Sequence, residues 1–152
     1  MTTCVVVIPI YNANPKPIEM ASLRRVLTVL NGHVIHLFTY EDLDTTVYKA
    51  VFEECNKSFL VDYFDKSYFS SVKGYNKLCL TPAFYLRYID YDYMLIYQLD
   101  AWVFYDSLQY WCDKNYDYIG APHFYSQEKN VTKEFMGCLL YTSPSPRDST
   151  SS

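Results

Sequence analysis

A single aspartate, Asp100, closes a long apolar run within the stretch YDYMLIYQLDAWVFY at positions 91–105. From Met94 to Leu99 the run is near-continuously apolar, the pattern of a strand buried on both faces in the middle of a parallel sheet. A carboxylate directly after such a strand stands where open α/β sheets bind their ligands, in the crevice beyond the carboxyl ends of the strands. Position alone leaves a second reading open, in which Asp100 caps a turn and accepts backbone N–H bonds. Histidines add little chemistry: His33 and His36 fall on opposite faces of the strand HVIHLF and cannot pair there as metal ligands. His123, in GAPHF, follows a strand end, and a partly buried structural histidine is preferred over a ligand or a base. The five cysteines, Cys4, Cys55, Cys79, Cys112 and Cys138, form no CxxC pair, so reduced and mostly buried thiols are expected.

Strands and helices must alternate to bring Asp100 to a crevice, and the chain reads that way. TCVVVIPIY (3–11) is a β-branched apolar run followed by the turn chemistry of NANPKP. Pro17 suits the first turn of a helix running to Leu30, with Met20, Leu23, Val26, Leu27 and Leu30 on one stripe and Asn31-Gly32 as the stop. After the strand at 33–38, Asp44 or Thr45 caps a helix in which Val47, Tyr48, Val51 and Phe52 face inward, and SFLVDYF (58–64) is a third strand. This βαβαβ order predicts an α/β fold with a mostly parallel, doubly wound sheet flanked by helices. Next, Gly74 precedes a short helix carrying Asn76 and Lys77, and Thr81-Pro82 opens another. Beyond the run at 94–99, Asp106 caps a short helix through Trp111 and Cys112, and YDYIGAP (116–122) predicts a further strand.

A chain of 152 residues holds one domain with a real core. Half of its residues are apolar and 20% are charged, which argues against disorder, and no uninterrupted apolar run approaches membrane-spanning length. The opening MTTCVVVIPIYN lacks the pattern of a secretory signal, so a cytoplasmic protein with no transmembrane segment is expected. The net charge of −4 comes without a basic cluster, which excludes nucleic acid as the expected partner. Seventeen tyrosines and nine phenylalanines are the compositional oddity: they can line a sugar or nucleotide site by stacking, although ordinary core and surface packing is the default for any one of them.

From Cys138 the character changes, and CLLYTSPSPRDSTSS is serine- and proline-rich without periodicity. Its first eleven residues are what one reading frame of a common transposon-based sequencing adapter encodes. Residues 138–152 are therefore expected to be a disordered, adapter-derived tail on a truncated, metagenomic reading frame, leaving 1–137 as the domain. Removing Arg147 and Asp148 with the tail leaves the net charge unchanged.

In the combination VVVIPIYN, GYNKL, LIYQLDAWVF and YDYIGAPHF, the chain resembles a bacterial family of glycosyltransferase-like proteins that carries only a domain-of-unknown-function label. The resemblance spans nearly all of residues 4–137 and rests on four motifs in order and spacing. More broadly it is a resemblance to the GT-A fold, a Rossmann-like sheet that binds a nucleotide-sugar. In that fold the central strand ends in a DxD motif whose carboxylates contact the ribose and hold a divalent cation against the diphosphate. Asp100 matches the first carboxylate, and Trp102 stands at the second, so LDAW departs from the pattern. The resemblance thus implies Mg²⁺ or Mn²⁺ with Asp100 as the one protein ligand, or a metal-free mode in which Lys77 or Lys73 neutralises the leaving diphosphate. Tyr11 and Asn12 match the position that contacts base and ribose. The family continues into a glycine-rich GNGGFSLR-type segment, approached here by Phe135-Met136-Gly137, so the domain is expected to be incomplete at its C-terminus.

What the resemblance implies is a glycosyltransferase fragment passing a sugar from a nucleotide-sugar donor to a hydroxyl on a glycan or similar acceptor. Its expected donor-binding residues are Asp100, Tyr11, Asn12 and Lys77, with Asp100 also at the metal. Residues 1–137 offer no convincing base to deprotonate the acceptor, so the fragment is expected to lack its catalytic base. The alternative is a non-catalytic carbohydrate- or nucleotide-binding module, since a fold does not settle activity.

Overall fold

A computed structural model of the chain describes residues 2–120, together with the strand pairs Pro122–His123 and Met136–Gly137. The element order is β1 (Cys4–Pro9), α1 (Pro17–Val29), β2 (Val34–Thr39), α2 (Thr46–Glu54), β3 (Leu60–Tyr63), a 3₁₀ turn (Lys66–Phe69), α3 (Val72–Cys79), α4 (Pro82–Leu86), β4 (Tyr93–Ile96), α5 (Leu108–Asp113), β5 (Pro122–His123) and β6 (Met136–Gly137). The first four strands form one sheet in the order β3-β2-β1-β4, with every pairing parallel. The α/β class is thereby observed. The short β5 and β6 pair antiparallel by themselves.

Strand alternation divides the core into two layers. Val6 and Ile8 point to one face, where Leu23, Val26 and Leu27 of α1 and Tyr48, Val51 and Phe52 of α2 cover them. Val5 and Val7 point to the other, against Phe69, Tyr75, Leu78, Phe84 and Tyr88. All four β1 residues are completely buried, which is why a β-branched run without polar alternation forms this strand. Much of the aromatic surplus is spent on the second layer. There Phe84 packs against Phe38 with ring centroids 5.0 Å apart and against Tyr88 at 5.7 Å.

Four expectations are corrected. The strand at 94–99 is shorter, Tyr93–Ile96, and among the described residues it is an edge strand of the sheet, not an interior one. An apolar run reports helix layers above and below a strand and says nothing of its hydrogen-bonded neighbours. Val47 is exposed, because it sits in the first turn of α2, on the side away from the sheet. Gly74 lies inside α3 and not before it: Ser71 caps the helix by accepting from the Gly74 N–H at 3.0 Å. Residues 116–120 form no strand, and among the described residues of that stretch the strand is Pro122–His123.

Cys4, Cys79 and Cys112 are buried free thiols and Cys55 is half-buried, as the cysteine spacing led one to expect. Burial pushes the Cys4, Cys79 and Cys112 thiols above their ordinary range. Among the described residues, no helix is long and apolar enough to cross a membrane. The His123 side chain and the expected tail at 138–152 lie outside the described residues.

Candidate functional site

Strand order places the crevice. The chain runs β1, β2, β3 outward to one side, then returns to pair β4 with the opposite edge of β1. Between β1 and β4 the order reverses, and in open parallel sheets ligands bind beyond the strand ends at such a reversal. A crevice of about 230 Å³ opens there, lined by Pro9, Ile10, Tyr11 and Asn12 after β1, by Gln98, Leu99 and Asp100 after β4, and by Glu19 and Tyr48 from α1 and α2.

Each wall is fixed by a specific contact. At the end of β1, the Ile10 N–H donates to the Phe38 carbonyl at 3.1 Å, and the buried Thr39 hydroxyl donates back to the Ile10 carbonyl at 2.9 Å. The Tyr48 hydroxyl donates to the Asn12 carbonyl at 2.6 Å, and burial together with the Glu19 charge pushes its pKa up to about 12. Asn12 Oδ1 accepts from the Asn14 N–H at 2.9 Å, which leaves the amino half of the carboxamide to donate. The Tyr11 ring leans on Phe69 and Tyr75, each with centroids 5.9 Å away.

Asp100 sits in a tight turn closed by the Ala101 N–H donating to the Gln98 carbonyl at 3.0 Å. Its own carboxylate is exposed and makes no hydrogen bond or ion pair among the described residues. A turn-capping aspartate would show the opposite. The turn is held from behind by α1. Ser22 and Tyr97 hydroxyls both reach the Ala101 carbonyl, at 2.6 and 2.9 Å, and a carbonyl has lone pairs for both. One helical turn later, Arg25 donates to the carbonyls of Val103 and Phe104 at 2.9 and 2.7 Å and lies over the Trp102 ring.

Tyr11, Asn12 and Asp100, singled out from sequence, thus line one crevice. Lys77 does not join them: it lies on α3 with an exposed side chain, and Lys73 is likewise exposed on that helix. Glu19, Tyr48 and Gln98 are lining residues that the sequence reading missed. For Glu19 a signal existed, since a glutamate three positions into a helix is half of a capping box, and its Oε2 does accept from the Lys16 N–H at 2.7 Å. Next to Gln98, the Tyr75 hydroxyl is buried close to the carboxamide but short of hydrogen-bond geometry.

Among the described residues, no group of three or more His, Cys, Asp or Glu side chains is placed to hold a metal ion. A divalent cation here would therefore depend on ligand oxygens and water beside the crevice carboxylates, a mode that suits Mg²⁺.

Comparison with curated proteins and with solved structures gives no match. A family model does match, over residues 58–138, which is more than half of the chain and includes α3, α4, β4 and Asp100. On that match the chain belongs to the family described as Protein of unknown function (DUF5672).

Proposed function

We propose that the crevice binds a nucleotide-sugar and that the chain is the donor-binding part of a glycosyltransferase of GT-A type, passing the sugar to a hydroxyl on a glycan or similar acceptor. The observation that carries this reading is Asp100: a carboxylate free of protein partners among the described residues, at the reversal point of a parallel sheet, with Tyr11 and Asn12 opposite it. The resemblance in VVVIPIYN and LIYQLDAWVF supports the same positions. Two residues beyond Asp100, the Trp102 ring is partly exposed with Arg25 lying over it, an apolar surface suited to packing against an acceptor sugar.

In this reading the chain's own residues bind and orient. Tyr11 and Asn12 receive the base and ribose, Asp100 receives the ribose hydroxyls, and the α1 clasp on Ala101 holds Asp100 in place. A bound Mg²⁺ or Mn²⁺ would be held by Asp100 and would supply charge to the leaving diphosphate.

A second reading is favoured by one specific observation: no lysine, arginine or histidine lines the crevice, so the described residues bring no cation to a departing diphosphate. That suits a non-catalytic carbohydrate- or nucleotide-binding module. Incubation with a panel of nucleotide-sugars, Mg²⁺ or Mn²⁺ and glycan acceptors separates the two. Release of nucleoside diphosphate matched to glycosylated acceptor supports the transferase. Binding seen by calorimetry with no release supports the module, and no binding of any nucleotide-sugar removes the donor site.

A further inference from the structure

Within the crevice assigned above, on which this inference rests, the lining chemistry is one-sided. Among the described residues its polar side chains are two carboxylates, Glu19 and Asp100, two carboxamides, Asn12 and Gln98, and two phenols, Tyr11 and Tyr48, with no cationic side chain. The start of α1 would ordinarily be a place for a phosphate, because helix N-termini present free N–H groups and a positive dipole end. Here that end already holds a carboxylate of its own. Glu19 Oε2 accepts from the Lys16 N–H at 2.7 Å, so the anion position is filled from within the chain.

The second oxygen of Glu19 has no hydrogen-bond partner among the described residues, and neither oxygen of Asp100 has one. Carboxylates are acceptors only, so what satisfies them is a donor: a cation or a hydroxyl. Two carboxylates repel a phosphate placed between them, and the carboxamides of Asn12 and Gln98 suit neutral oxygens. A pair of adjacent hydroxyls matches this lining, since each can donate to a carboxylate while accepting from an amide.

We propose that Glu19 is a second ligand-binding carboxylate, and that Glu19 and Asp100 together hold the vicinal hydroxyls of a neutral sugar moiety while any diphosphate stays outside the crevice. The shared chemistry is a vicinal diol, and its source is either the ribose of a nucleoside or a free pyranose ring.

Calorimetry on the full chain without metal tests this with the four ribonucleosides, their 2′-deoxy counterparts, glucose, galactose and inorganic pyrophosphate. The expected result is that a ribonucleoside binds and its 2′-deoxy form binds at least roughly tenfold more weakly, the effect of losing a hydrogen bond to a charged acceptor. Glu19→Gln should lower ribonucleoside affinity by roughly tenfold and leave the 2′-deoxy form little changed. Glutamine still accepts from the Lys16 N–H, so the helix cap survives in this variant, and the 2′-deoxy comparison needs no variant at all. If glucose or galactose binds in a Glu19-dependent way and no nucleoside does, the diol belongs to a glycan; the inference then stands and the nucleotide-sugar reading falls. If a nucleotide-sugar binds equally well to Glu19→Gln, the inference is overturned and the donor site stands. Metal-free binding of pyrophosphate in competition with the sugar ligand, or no binding by any diol, also overturns it.

Discussion

The hydroxyl of Ser22 donates to the carbonyl of Ala101 at 2.6 Å, joining the second turn of α1 to the turn that carries Asp100. Both residues lie far apart in sequence, and the contact places a buried polar group against a backbone acceptor that the turn leaves free. Through it the helix that covers one face of the sheet also sets the position of the crevice carboxylate. Asp100 is a functional candidate held by others; Ser22 and Arg25 are positioning residues.

Ser22→Ala therefore removes one of two hydroxyls on the Ala101 carbonyl, and Tyr97 still satisfies it at 2.9 Å. The expected loss of stability is about 1 kcal/mol, measured as a lower urea midpoint at unchanged slope. Ligand affinity should fall by several-fold more than the stability change alone predicts, because the Asp100 turn loosens. Equal ligand affinity in Ser22→Ala would show that the clasp does not govern the site.

Two glycines should respond in opposite ways to alanine. A Cβ on Gly74 would stand 2.5 Å from the Ser67 carbonyl oxygen, a backbone atom where α3 crosses the 3₁₀ turn, and neither segment can give way cheaply. Gly74→Ala should cost about 1–3 kcal/mol. A Cβ on Gly32 would meet nothing within 4 Å and its backbone is not left-handed, so Gly32→Ala should be neutral or add up to about 1 kcal/mol. Thermal denaturation of the two variants side by side checks the sign of each.

Much of this architecture was legible in the chain. Val5 to Ile8 and Ile35 to Phe38 form strands because both sheet faces are covered, and the resulting β-branched and aromatic runs are plain in the sequence. The lateral place of β4 was not legible, since hydrogen-bonded neighbours leave no periodic trace in side-chain types. At the site, Tyr11, Asn12 and Asp100 could be read because strand ends define where crevices form. Tyr48 could not, because it reaches the crevice from a helix whose packing on the sheet fixes which polar positions point inward, and the capping-box signal at Glu19 marks a helix start without showing that it borders the crevice. Lys77, expected on the crevice wall as a cation for the diphosphate, is exposed on α3 and is not among the lining residues.

A separate polar network should give the protein an acid-sensitive stability. The Asp62 carboxylate accepts from His36 Nδ1 and from the Tyr88 hydroxyl, both at 2.8 Å. Desolvation acts to raise its pKa, but these two hydrogen bonds and the charges of His36 and Arg87 outweigh it and hold the group below the ordinary carboxylate value. A depressed folded-state pKa contributes stability that is complete above the unfolded value of about 3.9 and is lost as pH falls through the folded value. Urea midpoints should therefore drop steeply below about pH 4. Asp62→Asn should lose about 1 kcal/mol at neutral pH, a modest figure because the group is partly solvated, and should flatten the acid limb. An unchanged acid limb in that variant would assign the acid sensitivity to other carboxylates.

Binding of the donor by the Asp100 carboxylate is probed by Asp100→Asn, because the side chain keeps its shape and loses only its charge. Calorimetry with nucleotide-sugars on the folded variant, in the presence of Mg²⁺, should show affinity reduced by at least roughly tenfold. The melting temperature should stay within about 2 °C of the parent, since the carboxylate supports no hydrogen bond among the described residues. Undiminished nucleotide-sugar affinity in Asp100→Asn, or a large fall in melting temperature with affinity retained, would contradict the claim and return Asp100 to the role of a turn residue.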